Sequence, residues 1–512
     1  MADILTQIVD QRRADLAKLG VEFGIKIPSE RSRKVHQFLP QKGVILEVKR
    51  ASPSKGDIAP NLDSAATALS YAQAGAAAIS CLTETNYFKG TLCDLMSVCS
   101  AVDKFESETG KTGPAVLRKD FLLNEDEVEV AYRAGADAVL LIARILDTQT
   151  IIKMAQVAAS YKMTSLVEVR TEDDVKKLSE IVQSVNKNYI ACGVNSRDLA
   201  NFTIDLLTPS AMLKKIREVL GQDARVIFES GIRTPQAAFF AGSLGFAGML
   251  LGEAAAKNPE VRSSLVSSFV NAPLSKNGEF WNKFVVQKKS SSSRPLVKIC
   301  GITQVKDALC AAELGADFLG FILYPKSKRN TNSQFIKNCS AELEQKFGSK
   351  KPYLVGVVAD FNCPEYQTAL NLTNEGILDA VQIHGFELSA DFAGNTQLAK
   401  IPHYCAVNIS NEEDIKKIDT LSTLGEPRIL IDAQSPVSVG GTGISIDKNL
   451  VEKVRSKHKL WLAGGVSAQN VQEIIKNFAP ELIDISSSVE SEPGKKDLKK
   501  LKEFFDRING TF

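Results

Sequence analysis

The sequence predicts an α/β protein built as two tandem (β/α)8 barrels joined by a short link. Three observations carry this expectation. The chain has 512 residues, more than one hydrophobic core usually serves, so two domains are the starting point. Short apolar runs recur through each half, eight in each, separated by stretches long enough for a helix and its loops. Continuous apolar runs suit strands buried on both faces of a parallel sheet. Between the halves a Ser/Lys-rich seam, VVQKKSSSSRP, interrupts the rhythm, as a surface link would. The expected boundaries are a first barrel with an N-terminal helical extension over 1–265, a link over 266–294 and a second barrel over 295–512. Trp281 and its apolar neighbours are candidates to pack on a barrel rather than hang free.

Composition narrows the class. A net charge of +2 offers neither a nucleic-acid-binding nor a membrane-binding surface. No apolar run approaches the roughly 18 residues of a membrane span. The N-terminal stretch MADILTQIVDQRRADLAKL reads as an amphipathic helix, and neither a signal nor a transit peptide is expected. Nine cysteines without a CxxC pair read as reduced thiols of an intracellular, cytoplasmic protein. The four histidines, His36, His384, His403 and His458, form no HxH or HExxH pattern, so no metal site is expected.

In the first half, residues 1–40 read as one or two helices and a basic connector. The apolar runs follow at 43–49, 76–83, 114–120, 137–143, 164–169, 189–195, 225–230 and 247–252. Thr171 before Asp173 and Asp174 suits a helix N-cap, and Thr234–Pro235 places proline at a first helical position. The junctions AQAGAAAIS, YRAGADAVL and, in the second half, AELGADFLG each read as a helix end, a glycine cap and a strand. That repetition favours stacked βα units. An open doubly wound sheet is the alternative, but the GxGxxG expected after its first strand is absent.

Barrel enzymes place their chemistry at the C-terminal ends of the strands. Those ends carry Glu47, Lys49, Arg50, Ser52 and Ser54; Arg118, Lys119 and Asp120; Glu168 and Arg170; Asn195 and Arg197; and Glu229, Ser230 and Gly231. Glu47 and Lys49 alternate along a strand and so point the same way. One charged strand end is ordinary solvation. Several on one face favour a polar site in which paired lysines and carboxylates act as acids and bases. Backbone N–H groups at Gly231 and Gly252 suit a phosphate.

The motifs EVKRASPSKG, LRKDF, LVEV, GVNSRDL and ESGI, in this order, resemble indole-3-glycerol phosphate synthase over roughly residues 1–260. The resemblance implies conversion of a carboxyphenylamino-deoxyribulose phosphate to indoleglycerol phosphate, with loss of CO2 and water and without a cofactor. It implies Lys119 as the main general acid, and Glu168, Lys49 and Glu47 in support of ring closure and dehydration. Asn195 would orient the site, Ser52, Gly231 and Gly252 would surround the phosphate, and Ser230 and Arg197 would complete the polar shell. Where the family often carries a serine after the last glycine, this chain has Glu253, an unfavourable neighbour for a phosphate unless it turns away.

The second half repeats the pattern at 296–302, 318–324, 353–360, 380–385, 403–408, 428–433, 459–466 and 482–490. Cys300, Tyr324 with Arg329 beyond it, Asp360, Gln382 with His384, Asp432 and Ser486–Ser487 stand at the run ends. A buried inert thiol is the ordinary reading of one cysteine. Cys300, though, ends the first strand and precedes glycine, and with Asp432 it would form a base and acid pair suited to an isomerase. His384 suits a hydrogen bond to substrate better than a metal. The stretches VGGTGIS, LAGGV and SSSVE suit a phosphate nest.

KICGIT, YPKSKR, VQIHG, GGTGISID and LAGGV resemble phosphoribosylanthranilate isomerase over residues 295–512. The resemblance implies an Amadori rearrangement in which Asp432 opens the furanose and Cys300 takes the proton from sugar C2. Arg329 would hold the anthranilate carboxylate, and Gly441, Thr442, Gly443, Gly465 and Ser487 would hold the phosphate. Ser488 replaces a family glycine. The expected partners are phosphorylated anthranilate substrates, with no nucleic acid and no membrane, and the product of the second barrel would be the substrate of the first. No glutaminase-like segment precedes the first barrel, so anthranilate synthase activity is not expected, nor is channelling. The alternatives are a phosphate-binding scaffold without turnover, or a pair of barrels acting on other phosphosugars.

Overall fold

The computed structural model describes residues 4–198, 203–290, 294–432 and 447–510. The chain divides into two compact units, Met1–Pro273 and Leu274–Phe512. Among the described residues no helix is long and apolar enough to cross a membrane.

The first unit is a closed barrel of eight parallel strands, β1 (Gly43–Val48), β2 (Ala78–Leu82), β3 (Ala115–Lys119), β4 (Ala138–Ile142), β5 (Thr164–Val169), β6 (Ile190–Asn195), β7 (Val226–Glu229) and β8 (Gly248–Leu251). It closes where Gly43 pairs with Gly248 and Leu46 with Leu251. Helices return the chain between strands, and their starts are written in the sequence. Thr171 accepts from the Asp174 amide in a reciprocal capping box, and Thr234 caps the helix that opens at Pro235. An N-terminal helix, Ile4–Leu19, precedes the barrel. A small hairpin, Ala51–Ser52 with Gly56–Asp57, follows β1.

The second unit repeats the plan with β9 (Leu296–Cys300), β10 (Phe318–Ile322), β11 (Tyr353–Val358), β12 (Ala380–His384), β13 (His403–Asn408), β14 (Ile429–Asp432), β15 (Trp461–Ala463) and β16 (Leu482–Ile485). β9 closes on β16, Leu296 pairing with Leu482.

The stretch 266–294, read from sequence as a link, is largely helical rather than plain linker. The helix Lys276–Ser290 belongs to the second unit. Trp281, fully buried, lies 5.9 Å from Trp461, and Phe280 lies 5.6 Å from Tyr353. Trp461 and Tyr353 begin their strands, so the helix seals the N-terminal mouth of the barrel with aromatic surface. Asn277 and Lys276 fix it further, donating to the carbonyls of Ala399 (3.1 Å) and Asn374 (2.6 Å).

Candidate active sites

In the first barrel all ten residues expected at the site line one cavity of about 200 Å³: Glu47, Lys49, Ser52, Lys119, Glu168, Asn195, Arg197, Ser230, Gly231 and Gly252. Not every charged strand end joins them. Arg50 turns away to a bidentate pair with Asp94, and Arg118 is buried against Asp120. Arg118 and Lys119 are consecutive on β3 and so point to opposite faces.

The centre is a lattice of lysines and carboxylates. Lys49 Nζ donates to Glu47 Oε1 at 2.8 Å, while Lys119 Nζ stands 3.2 Å from Glu47 Oε2 and 3.6 Å from Glu229 Oε2. Burial opposes ionisation of Glu47, but Lys119 and Lys49 outweigh it and hold its pKa down to about 2. Burial likewise opposes the Lys119 charge, and Glu47, Glu229 and Glu168 overcome it, so the ammonium is held firmly protonated. Glu168 behaves oppositely. Burial and the negative charge of Glu229 push its pKa up to about 8, against the pull of Lys119 and Arg170. One site thus holds a fixed carboxylate, a fixed ammonium and a carboxyl that keeps its proton at neutral pH.

Glycine is required where the backbone meets this lattice. A Cβ on Gly252 would stand 2.6 Å from Glu47 Oε1. At the end of β7, Ser230 has φ +70° and Gly231 φ +85°. A non-glycine residue in that region costs on the order of 1 kcal/mol and marks a turn held for a purpose. The buried Ser52 hydroxyl has no hydrogen-bond partner among the described residues, as befits a group aimed at a ligand. Glu253 also lines the cavity, but its carboxylate is held by Lys257 (2.9 Å) with Lys55 nearby (3.7 Å). The rest of the lining includes Leu82, Phe88, Phe121, Leu140, Ile142 and Leu250, with Ile4, Leu5 and Ile8 of the N-terminal helix. Glu229 was legible as a charged strand end but not as a partner of Lys119. Arg233 and the apolar face of the N-terminal helix carry no motif that marks them.

In the second barrel Cys300, Arg329, His384, Asp432, Gly465 and Ser487 line one cleft, with Gln382 and Asp484 beside them. Gly441, Thr442 and Gly443 lie outside the described residues. Cys300 is 8% exposed. Burial pushes its thiol pKa up, and Lys298 and Lys496 pull against that. The Arg329 fork, expected on the substrate, holds Glu490 through Nε (2.9 Å) and Nη2 (2.6 Å). Glu490 also accepts from the buried Lys496 (2.8 Å), whose ammonium reaches the Cys300 carbonyl (2.6 Å). Arg329 and Cys300 are therefore tied to one scaffold. Burial and Lys298 lower the His384 pKa, leaving a neutral imidazole in the cleft wall. Gly464 and Gly465, at φ +84° and +67°, end the β15 segment with a left-handed turn.

Both sites define one class: (β/α)8 barrels with acid–base groups and glycine turns gathered at the strand C-termini. Comparison with known proteins gives the family. Residues 5–267 match indole-3-glycerol phosphate synthase, and residues 297–507 match N-(5'phosphoribosyl)anthranilate (PRA) isomerase. The chain is 31% identical over 494 residues to the multifunctional tryptophan biosynthesis protein of Schizosaccharomyces pombe, covering 91% of this chain and 59% of that protein. It is 30% identical over 521 residues to the tryptophan biosynthesis protein TrpCF of Vibrio parahaemolyticus, covering 99% and 94%. Among solved structures, the phosphoribosyl anthranilate isomerase of Thermotoga maritima is 35% identical, with 42% of this chain and 99% of that chain covered and a TM-score of 0.36. The chain spans about three fifths of the length of its multifunctional relatives from S. pombe and Phanerodontia chrysosporium. It belongs to the bifunctional indole-3-glycerol phosphate synthase and phosphoribosylanthranilate isomerase family of tryptophan biosynthesis.

Proposed function

We propose that the C-terminal barrel isomerises N-(5-phosphoribosyl)anthranilate to 1-(2-carboxyphenylamino)-1-deoxyribulose 5-phosphate, and that the N-terminal barrel converts that product to indole-3-glycerol phosphate. The observation that carries the second step is the Lys119 ammonium held between Glu47 and Glu229, beside a protonated Glu168, in a cavity with an apolar wall for an aromatic ring. Lys119 donates to the substrate carbonyl as the ring carbon attacks it, and CO2 leaves and restores the aromatic ring. Glu168 gives its proton to the departing hydroxyl while the Lys119 amine takes the adjacent C–H proton, which forms the indole double bond and restores the ammonium; Glu168 regains its proton from solvent. Glu47 and Glu229 keep Lys119 charged, Lys49 paired with Glu47 supports ring closure, and Asn195 orients the substrate. Ser52, Ser230, Gly231 and Gly252 hold the phosphate, while Arg197 faces the substrate carboxylate.

In the isomerase, Asp432 protonates the furanose oxygen and opens the ring. The Cys300 thiolate then takes the C2 proton, and the electron pair released moves to the iminium. Arg329, oriented by Glu490, meets the anthranilate carboxylate, His384 hydrogen-bonds the substrate, and Gly465 and Ser487 join Gly441, Thr442 and Gly443 around the phosphate. Every step moves protons and electron pairs within the substrate, so the scheme calls for no cofactor. The substrates are small phosphorylated anthranilates. The placement is cytoplasmic, in keeping with nine free cysteines. The folding unit of the isomerase starts near Leu274, because the helix Lys276–Ser290 supplies its aromatic floor.

The test is to supply phosphoribosylanthranilate to the purified chain while following loss of its fluorescence and appearance of indoleglycerol phosphate. The expected result is both signals in sequence. A folded protein that gives neither would leave a phosphate-binding scaffold as the better account.

A further inference from the structure

Below the cleft of the second barrel lies a buried cation that the scheme above does not use. Lys298 stands on β9 two residues before Cys300, so both side chains point toward the barrel axis. The lysine has no exposed surface. Its ammonium donates to Asp484 Oδ2 at 2.7 Å and to Gln382 Oε1 at 2.8 Å. The Tyr404 hydroxyl donates to the same Gln382 oxygen at 3.0 Å. The Cys300 sulfur lies on the same inward face of β9, and the Lys298 charge favours its anion against the burial that keeps it neutral. Both side chains crowd Gly320 on the neighbouring strand: a Cβ there would stand 2.8 Å from Cys300 Sγ and 3.1 Å from Lys298 Cε, so glycine lets the sulfur and the lysine stem share one pocket.

Packing alone does not explain the arrangement. A buried ion pair is often no more stabilising than apolar residues of the same volume, and the surrounding strands supply such residues freely. The sulfur also feels Lys496 and Arg329, but both are engaged by Glu490. His384 in the cleft wall is held neutral, and Asp432 belongs to β14. Of these three cations, Lys298 is the one that shares the inward face of β9 with the sulfur and is held by Asp484 rather than Glu490.

We propose that Lys298 is a positioning residue of the isomerase: its ammonium, held by Asp484 and Gln382, stabilises the Cys300 thiolate that takes the substrate proton. The inference rests on the isomerase function proposed above. The thiol first loses its proton to solvent. In turnover the thiolate takes the C2 proton and returns to the thiol, while Lys298 keeps its own protons throughout. Asp484 opposes the effect, because its carboxylate draws the ammonium away from the sulfur.

The experiment is iodoacetamide alkylation of Cys300 in the full chain without substrate, read by peptide mass spectrometry against pH. Lys298→Met is expected to move the alkylation midpoint up by about one pH unit or more, cutting the neutral-pH rate about tenfold. Isomerase kcat should fall in step and recover at higher pH, with KM little changed. Asp484→Asn is expected to move the midpoint down; a loosened barrel would relieve burial and lower it in either variant, so the rise in Lys298→Met is the sign that loosening would not produce. A midpoint unmoved in Lys298→Met overturns the proposal. If Lys298→Met does not fold, Asp484→Asn decides, and a midpoint that fails to fall overturns it. Isomerase turnover that survives in Cys300→Ala would instead overturn the role given to the thiol, a failure told apart because alkylation is read without substrate.

Discussion

The two barrels open with the same device and opposite charges. β1 sets Glu47 two residues before Lys49, and β9 sets Lys298 two residues before Cys300. In the first barrel the deeper group is an anion. It pairs with Lys49 at 2.8 Å and Lys119 at 3.2 Å and keeps cations in the site. In the second the deeper group is a cation, paired with Asp484 at 2.7 Å beneath a thiol. Carboxylates then outnumber lysines in the first site, so Glu168 retains its proton and an acid is available. Around Cys300, Lys298 and Lys496 favour the anion of a sulfur that burial would keep neutral. One fold thus supplies an acid-rich site for cyclisation and dehydration and a base for enolisation, through the sign of one buried charge.

The contrast breaks most sharply at Lys119. Lys119→Ala should lower the synthase step by about 10²–10⁴-fold and leave the isomerase untouched. Steady-state assays should then show the carboxyphenylamino-deoxyribulose phosphate accumulating. Equal loss in both steps would mean that the two sites do not act separately.

Trp281→Ala attacks the other barrel through its floor. Removing a fully buried tryptophan costs about 3–5 kcal/mol. The transition of the isomerase unit in thermal or urea unfolding should shift while that of the synthase unit stays. A shift confined to the synthase would refute the assignment of this helix to the second unit.

These two residues also show what the sequence could and could not display. Apolar runs mark all sixteen barrel strands, because strands buried on both faces need no alternation and stand out from helices. The strand-end residues were legible for a related reason: polar side chains that close an apolar run are conspicuous. Lys298 and Asp484 were not, since they sit inside β9 and β16 and become partners only when the barrel closes. Glu229 was visible, but the charge it places beside Glu168 acts from β7 on β5, a pairing no local pattern encodes. The helix Lys276–Ser290 was hidden by the serines after it, which read as linker, and Trp281 was its one signal.

A smaller effect sharpens the acid side. If Glu168 must be protonated, synthase kcat should hold below about pH 8 and fall about tenfold per unit above it. The sign follows from the upward shift: the active neutral carboxyl is lost as pH rises through its pKa. Glu168→Gln should remove this limb along with most of the rate. A flat profile up to pH 9.5 would assign the proton elsewhere.

The smallest change is Gly252→Ala. Its Cβ would press on Glu47 Oε1 at 2.6 Å. Overpacking of this kind costs about 1–3 kcal/mol, and a KM for the synthase substrate raised about tenfold is expected, with the isomerase KM unchanged.

The most direct test of two independent sites is complementation between chains. Cys300→Ala and Lys119→Ala variants would be mixed and given phosphoribosylanthranilate. Alone, Cys300→Ala is expected to form no indoleglycerol phosphate and Lys119→Ala only a trace, and the mixture is expected to form it readily, through intermediate released by Lys119→Ala and taken up by Cys300→Ala. A mixture as inactive as its components, with both variants folded, would contradict the division of labour between the barrels.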